Sequence, residues 1–370
     1  MDIGWKIGVE IELLAPPGRS RLDLAQAIAQ ACGGQVRTVL HQDSEPSKVP
    51  GRPVFSNLTP GFEVLDAAGA VRARCVDDLT LQDDLDKRAA PKPGWWRVVG
   101  DDERILRMLA LAIDPALPLP AALERLPALC NGRIEAAAAG MYRLSDALAA
   151  PLAIAAPLPG ERERPCELIT APLQAAHAAQ LDALLALARG LDFRIPREGA
   201  THLHFDAAAL CSAHAVVNLV QVFTAFGPVL RQWCATPSSF RRVGGWPPAL
   251  RETVLAPDFR HLDWPTAQAR VRALEPSKFC DFNLKNLAYG RADRHTFEVR
   301  ILPATLDTQQ IVDWMALFEA VLRQCIDPGF RLAQEASPSA LEWLAGLPLS
   351  APMRARWQGY AALAAAVASG

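Results

Sequence analysis

Three short stretches of the chain carry the residue types that do chemistry at a spacing that aligns them: Gly8-Val-Glu-Ile-Glu12, Thr201-His-Leu-His-Phe-Asp206 and Thr296-Phe-Glu-Val-Arg300. In an extended strand, successive side chains point to opposite faces. Glu10 and Glu12 therefore share one face of their strand, His202, His204 and Asp206 share a face of another, and Glu298 and Arg300 share a face of a third. The intervening Val9, Ile11, Leu203, Phe205, Phe297 and Val299 point into a core. Charged groups at alternate positions of half-buried strands are costly unless they pair, hydrogen-bond or bind a metal. Carboxylates and imidazole on strand faces make a divalent-cation site the first expectation.

Magnesium takes oxygen ligands in octahedral geometry and keeps some waters, so a few carboxylates from different strands suit it, and one imidazole is tolerated. Arg300, two positions from Glu298, would place a planar guanidinium beside such an ion, where a lysine could not offer the same fork. Just upstream, Lys278-Phe-Cys-Asp-Phe-Asn-Leu-Lys-Asn286 supplies Lys278, Asn283, Lys285 and Asn286 as candidates to line a nucleotide or substrate pocket. Each motif alone has a plainer reading. Glu-x-Glu is commonly a solvated strand face, His-x-His binds adventitious metal, and Glu298 with Arg300 makes half of a structural ion pair. Glu161 and Glu163 stand close enough to Glu167 to replace it as ligands, and Arg241 and Arg242 are candidates to receive an acidic substrate.

The elements that must hold these residues read as follows. Residues 21–32 have helical apolar spacing and end at Gly33-Gly34; Phe62–Leu65 and Val71–Val76 flank a turn and predict a hairpin. High Pro, Gly and Asp density predicts long loops between about 40 and 100. Asp101-Asp-Glu opens a helix running to about 114. Residues 115–160, rich in Ala, Leu and Pro, predict a helical insertion. A strand at Cys166–Thr170 and a helix at 174–189 follow. The Thr201 strand leads to an apolar helical stretch over 207–233, interrupted near Gly227-Pro228. The Thr296 strand feeds a helix over 308–325 with Asp307 as N-cap, and one or two helices close residues 331–370. Strands meeting helices without a regular βαβ rhythm favour an α+β fold, a curved, mainly antiparallel sheet with helices packed on one face. The expected organisation is a catalytic domain over 1–330 carrying the insertion at about 40–160, then a helical tail over 331–370.

Composition bounds the rest. The chain has 370 residues and 40.0 kDa, and 51% of its residues are hydrophobic, enough for a large core. A formal net charge of −2 argues against nucleic acid or an anionic membrane as the main partner. Eight cysteines without a CxxC pair read as reduced core residues. No basic-then-apolar leader opens the sequence, and no uninterrupted apolar run reaches the roughly 18 residues that span a bilayer. A cytoplasmic location is the expectation.

In order along the chain, Gly8-Val-Glu-Ile-Glu12, Glu167-Leu-Ile-Thr-Ala-Pro172, His202-Leu-His204 and Glu298-Val-Arg300 resemble the carboxylate-amine ligase superfamily built on the glutamine synthetase fold. More narrowly they resemble the putative amidoligase family, relatives of glutamate-cysteine ligase. That resemblance implies a glutamine synthetase-like catalytic fold and an enzyme that uses ATP and paired Mg ions to phosphorylate a carboxylate, which an amine then attacks to give an amide. By motif match it implies Glu10, His202 and Glu298 as ligands of the nucleotide-side metal and Glu12 and Glu167 as ligands of the substrate-side metal. Arg300 would contact the transferring phosphoryl group, Asn283 and Lys278 would join it in binding the nucleotide, and His204 and Asp206 are weaker candidates. Substrates would be small-molecule or peptide carboxylates and amines, and an oligomer is possible. The chain departs from relatives at Val76-Asp-Asp-Leu-Thr80, where an Asp-Gly-Ser-like turn is common, and it has no Gly-rich phosphate loop. Two further readings stand beside the ligase: a metal-dependent hydrolase on the same carboxylate and histidine site, and a non-catalytic homologue.

Overall fold

Period-two alternation builds most of the strands that carry the candidate residues. The computed structural model describes residues 3–49, 52–240, 243–290, 295–332 and 338–369; Arg241 and Arg242 lie outside the described residues. The strands are β1 (Ile7–Leu14), β2 (Gln35–Val49), β3 (Arg52–Leu65), β4 (Val71–Val76), β5 (Trp96–Gly100), β6 (Arg133–Ala136), β7 (Tyr142–Ser145), β8 (Pro151–Pro157), β9 (Pro165–Thr170), β10 (Ala200–Asp206), β11 (Phe282–Asn283) and β12 (Thr296–Pro303). The fold is mixed α and β with extensive antiparallel sheet and helices. Two compact units divide the chain: Met1–Glu10, Pro172–Leu185 and Ala200–Gly370 form the first, and Ile11–Ala171 and Ala186–Gly199 form the second.

In the first unit the strand order is β11-β12-β10-β1. β10 and β12 run antiparallel with His204 opposite Glu298, and β11 sets Asn283 opposite the same Glu298. The register slips between Thr201 and Leu203, which pair with Leu302 and Val299. Arg300 and Ile301 of β12 thus stand against His202 alone, so β12 carries an extra residue there, the kind of bulge that re-aims side chains. On the other face of this sheet Phe223 packs at 4.0 Å from Phe282 and 5.5 Å from Phe297, centroid to centroid. Phe223 belongs to the helix Ala213–Trp233, capped by Ser212. Burying Phe282 and Phe297 under this helix turns their strand neighbours Asn283 and Glu298 to the opposite face.

That helix runs unbroken through Pro228, against the expected interruption. Proline removes one backbone donor, but the turn around it is held by packing: Phe226 stacks on Trp343 at 4.0 Å, and Leu230 and Trp233 are buried. By length and composition the helix is apolar enough to cross a membrane, which amends the bilayer argument above; 67% of the stretch is buried in the protein. The helix Thr308–Ile326 has the expected Asp307 cap, whose carboxylate accepts from the backbone N–H of Gln309 at 2.8 Å. Two helices, Ala340–Gly346 and Ala351–Ser369, close the chain.

In the second unit the order is β1-β9-β4-β3-β5-β8-β7-β6, with β2 also paired to β3. The long loops expected over 40–100 are in part a long antiparallel ribbon, β2 with β3, in register from Gln35 and Leu65 to Pro46 and Val54. Pairing partners this far apart in sequence are invisible in local Pro and Gly density. The expected hairpin of β3 with β4 is present, with Phe62 opposite Cys75. The insertion opens with two short helices, Leu119–Leu123 and Leu126–Cys130, then becomes the antiparallel β6-β7-β8 meander in place of further helix. Its Leu144, Ala153 and Ala155 join a core with Trp96, Leu106 and Leu109. Tertiary burial overrides the helical propensity of alanine there. All eight cysteines are free.

Candidate metal centre

The polar face of the first unit's sheet gathers most of the residues singled out by alternation. Glu10 ends the unit's share of β1, His202 and His204 stand on β10, Glu298 and Arg300 on β12, and Asn283 on β11. His204 Nε2 lies 3.2 Å from Glu10 Oε1 and 3.8 Å from Glu298 Oε1. His202 Nδ1 lies 3.4 Å from Glu10 Oε2 and 3.7 Å from Glu298 Oε1. One ligand atom from each of Glu10, His204 and Glu298 falls within 4.8 Å of the others, close enough for one ion to bridge all three. His204, expected as a weaker candidate, is thus at the centre.

Glu298 is held on both oxygens. Asn283 Nδ2 donates to Oε2 at 2.6 Å, and Arg300 Nη1 donates to Oε1. The Asn283 carbonyl oxygen accepts the backbone N–H of Lys285 at 2.8 Å, so both ends of its amide serve this corner. The backbone N–H of Arg300 donates to the carbonyl of Asp281 at 2.9 Å, and the Asp281 carboxylate accepts from Arg231 at 2.7 Å.

Burial and charge act in opposite directions on every titrating group here. Burial raises the Glu298 carboxyl, but Arg300, His204 and His202 outweigh it and hold the group down at about 2. Glu10 is likewise pushed up by burial, yet His204 and His202 bring it well below the ordinary carboxylate value. Burial opposes charge on His204, but the facing Glu10 and Glu298 lift it to about 9. His202 ends below the ordinary histidine value because burial and the Arg300 cation prevail. Both carboxylates are therefore anionic at neutral pH, and His204 carries a proton that balances one of them.

The remaining candidates make contacts of their own. Asp206 sits at the end of β10, where it accepts the backbone N–H of Ala208 at 2.9 Å and lies 3.7 Å from Lys6. Lys278 Nζ stands 5.6 Å from the centre of the Phe279 ring. Glu12 on β1 and Glu167 on β9 belong to the second unit and occupy neighbouring strands. Glu12 is buried, and Glu167 lies 3.9 Å from His41 Nε2. Glu161 and Glu163 brace the same unit: Glu161 accepts from Arg164 and from the Asp86 backbone N–H at 3.1 Å, and Glu163 accepts from Lys92. One further side chain joins the site without carrying a charge. Thr296, two residues before Glu298, has its Oγ1 3.2 Å from His204 Nδ1. Its signal was the same period of two, read for charge and not for hydroxyls.

A family model described as "Putative amidoligase enzyme" matches residues 4–322. The curated proteins contain no match.

Proposed function

The chain belongs to the putative amidoligase family, and from that membership we propose an ATP- and Mg-dependent carboxylate-amine ligase with a glutamine synthetase-like fold. It would form an amide through an acyl phosphate, on an amino acid or peptide carboxylate, with a small amine as the second substrate. The observation that carries the reading is the convergence of Glu10, His204 and Glu298 around one point, with Arg300 bonded to Glu298. The donor set fits a divalent cation. His204 Nε2 is buried 3.2 Å from Glu10 Oε1 and 3.8 Å from Glu298 Oε1, a donor set of one imidazole and two carboxylates that a divalent cation would draw together by displacing the ring proton.

The residues divide the work. Glu10, Glu298 and an imidazole hold the nucleotide-side cation, and Glu12 and Glu167 hold the substrate-side one. Bound there, the ions supply charge neutralisation for the phosphate oxygens. Arg300 is oriented by its bond to Glu298, so its guanidinium stands ready for a transferring phosphoryl group. Asn283 fixes the free oxygen of Glu298 and acts on the nucleotide through it, while Lys278 would contact the nucleotide directly. Phosphoryl transfer demands little covalent help, so a site built of fixed charges is sufficient.

Isothermal titration of the full chain with a non-hydrolysable ATP analogue, with and without Mg, tests this. Magnesium-dependent binding that Glu298→Ala abolishes is the expected result, and it would be followed by screening amino acids and peptides for ADP release. No binding to the wild type, or tight zinc with no nucleotide dependence, would move the reading to the hydrolase.

A further inference from the structure

The last helix, Ala351–Ser369, is held to the first unit along one face. Trp357 is fully buried, and its indole N–H donates to the carbonyl of Asp313 at 3.2 Å. The Asp313 carboxylate accepts from Arg356 at 2.5 Å and from the Tyr360 hydroxyl at 3.0 Å. Ala361, one turn on from Trp357, is buried as well. The opposite face carries Ala355, Gly359, Ala362, Leu363, Ala366 and Val367, all exposed, Leu363 by 66% and Val367 by 82%. After Arg356 the helix has no charged residue. A solvated helix face ordinarily carries charges, and a helix that is apolar all round is one that is covered. This helix lies beyond residues 4–322, which the family model matches.

The shape of the bare face fits a second copy of itself. Ala355, Gly359, Leu363 and Val367 recur every four residues and form one ridge along the helix. Its first half is small and its second half large. A Cβ added at Gly359 would meet nothing within 4 Å, and the ridge there borders a groove of about 450 Å³ whose far wall is Gln309 and Asp313 of the helix Thr308–Ile326. In an antiparallel pair about a two-fold axis at the level of Ala361, Gly359 stands opposite Leu363 of the second copy and Ala355 opposite its Val367. Each large side chain meets a small one, and the match is mutual, as a two-fold contact requires. Charge agrees with the antiparallel sense. Arg356 then lies opposite Ala366 of the second copy, in a last turn that has no basic residue of its own and whose carbonyls favour a cation.

We propose that this face is a homodimer contact, in which the terminal helices of two copies pair antiparallel and Leu363 of each enters the groove beside Gly359 of the other. The 19 residues make a strip about 28 Å long and about 10 Å wide, roughly 300 Å² per copy. That is under half of the ~800 Å² per partner of a standard interface, so the dimer is weak and forms as concentration rises.

Sedimentation velocity of the full chain, from micromolar to near-millimolar concentration, is expected to show the mass rising from 40.0 kDa towards twice that value. Gly359→Leu, which fills the groove with its own side chain, and Leu363→Glu are each expected to weaken Kd at least about tenfold. Gly359→Leu combined with Leu363→Ala exchanges large for small along the ridge and is expected to regain most of that loss. Misfolding or a general loss of apolar surface would not produce such a rescue. Unchanged affinity in either single variant overturns the groove contact, and a double variant no tighter than Gly359→Leu overturns the antiparallel register. A wild type that stays monomeric throughout overturns the dimer, and its binding to phosphatidylcholine vesicles would then give the face to a membrane.

Discussion

Each unit of the molecule buries a cluster of charges, and the two clusters are balanced in opposite ways. In the second unit Asp77, fully buried, lies between two guanidiniums: Arg162 at 2.5 Å and Arg21 at 3.6 Å. Those guanidiniums also donate to backbone carbonyls, Arg162 to Leu81 and Asp78, and Arg21 to Arg162 and Pro165. One anion and several backbone carbonyls face two cations, and the effect is to tie segments of chain together. In the first unit two carboxylates, Glu10 and Glu298, face one permanent cation, Arg300, and two imidazoles. There side chains answer side chains: two anions face one guanidinium and an imidazole, His204, that Glu10 and Glu298 lift to about 9. The second unit's cluster is tied to the backbone, whereas the first unit's is balanced by a side chain that can lose its proton.

The largest effect that would break this comparison is in the bracing cluster. Asp77→Ala leaves Arg21 and Arg162 buried without a counter-charge, and a loss of about 3–5 kcal/mol of unfolding free energy is expected. Urea denaturation monitored by tryptophan fluorescence measures it. A loss under about 1 kcal/mol would mean that the carbonyls alone hold the guanidiniums.

The first unit's cluster should respond to ions where the bracing cluster does not. At a free Mg concentration of 100 times its Kd, the wild type gains about 2.7 kcal/mol of stability, and Glu10→Gln gains little. An equal gain in Glu10→Gln would place the ion elsewhere. Without any metal, Glu10→Gln should shift stability by less than about 1 kcal/mol, because it relieves the repulsion between facing carboxylates as it loses the histidine contacts. A metal-free loss as large as that of Asp77→Ala would show that Glu10 braces the fold.

The two clusters were not equally legible in the sequence. Glu10, Glu298 and Arg300 stood out because each breaks an apolar strand at alternate positions, and strand periodicity survives folding wherever one face is buried. Which ring nitrogens of His202 and His204 face the carboxylates was not legible, since it depends on strand pairing and on the bulge in β12. The contact of Asp77 with Arg162 was hidden, because the two stand 85 positions apart in the sequence. The β2 and β3 ribbon was hidden in the same way, and Pro228 was read by its local cost without the buried aromatics that hold its helix.

The smallest expected effect separates the units by pH. Glu63 is buried on β3, and its carboxylate accepts from Arg37 and, at 2.8 Å, from Arg74. Burial raises its pKa, but the two guanidiniums outweigh burial and hold it below 4.5. A depressed carboxyl contributes stability that is fully present above its unfolded pKa and is lost as pH falls through the folded one. The wild type should therefore lose stability on going from pH 5 to below 4.5, and Glu63→Gln, which has no proton to gain, should lose less over the same interval. Glu63→Gln should also leave Mg affinity at pH 7 unchanged, since Glu63 belongs to the second unit's own ion network. Parallel acid limbs for variant and wild type would show that the Arg37 and Arg74 contacts do not stabilise the carboxylate in solution, leaving Asp77 as the second unit's test of a bracing charge cluster.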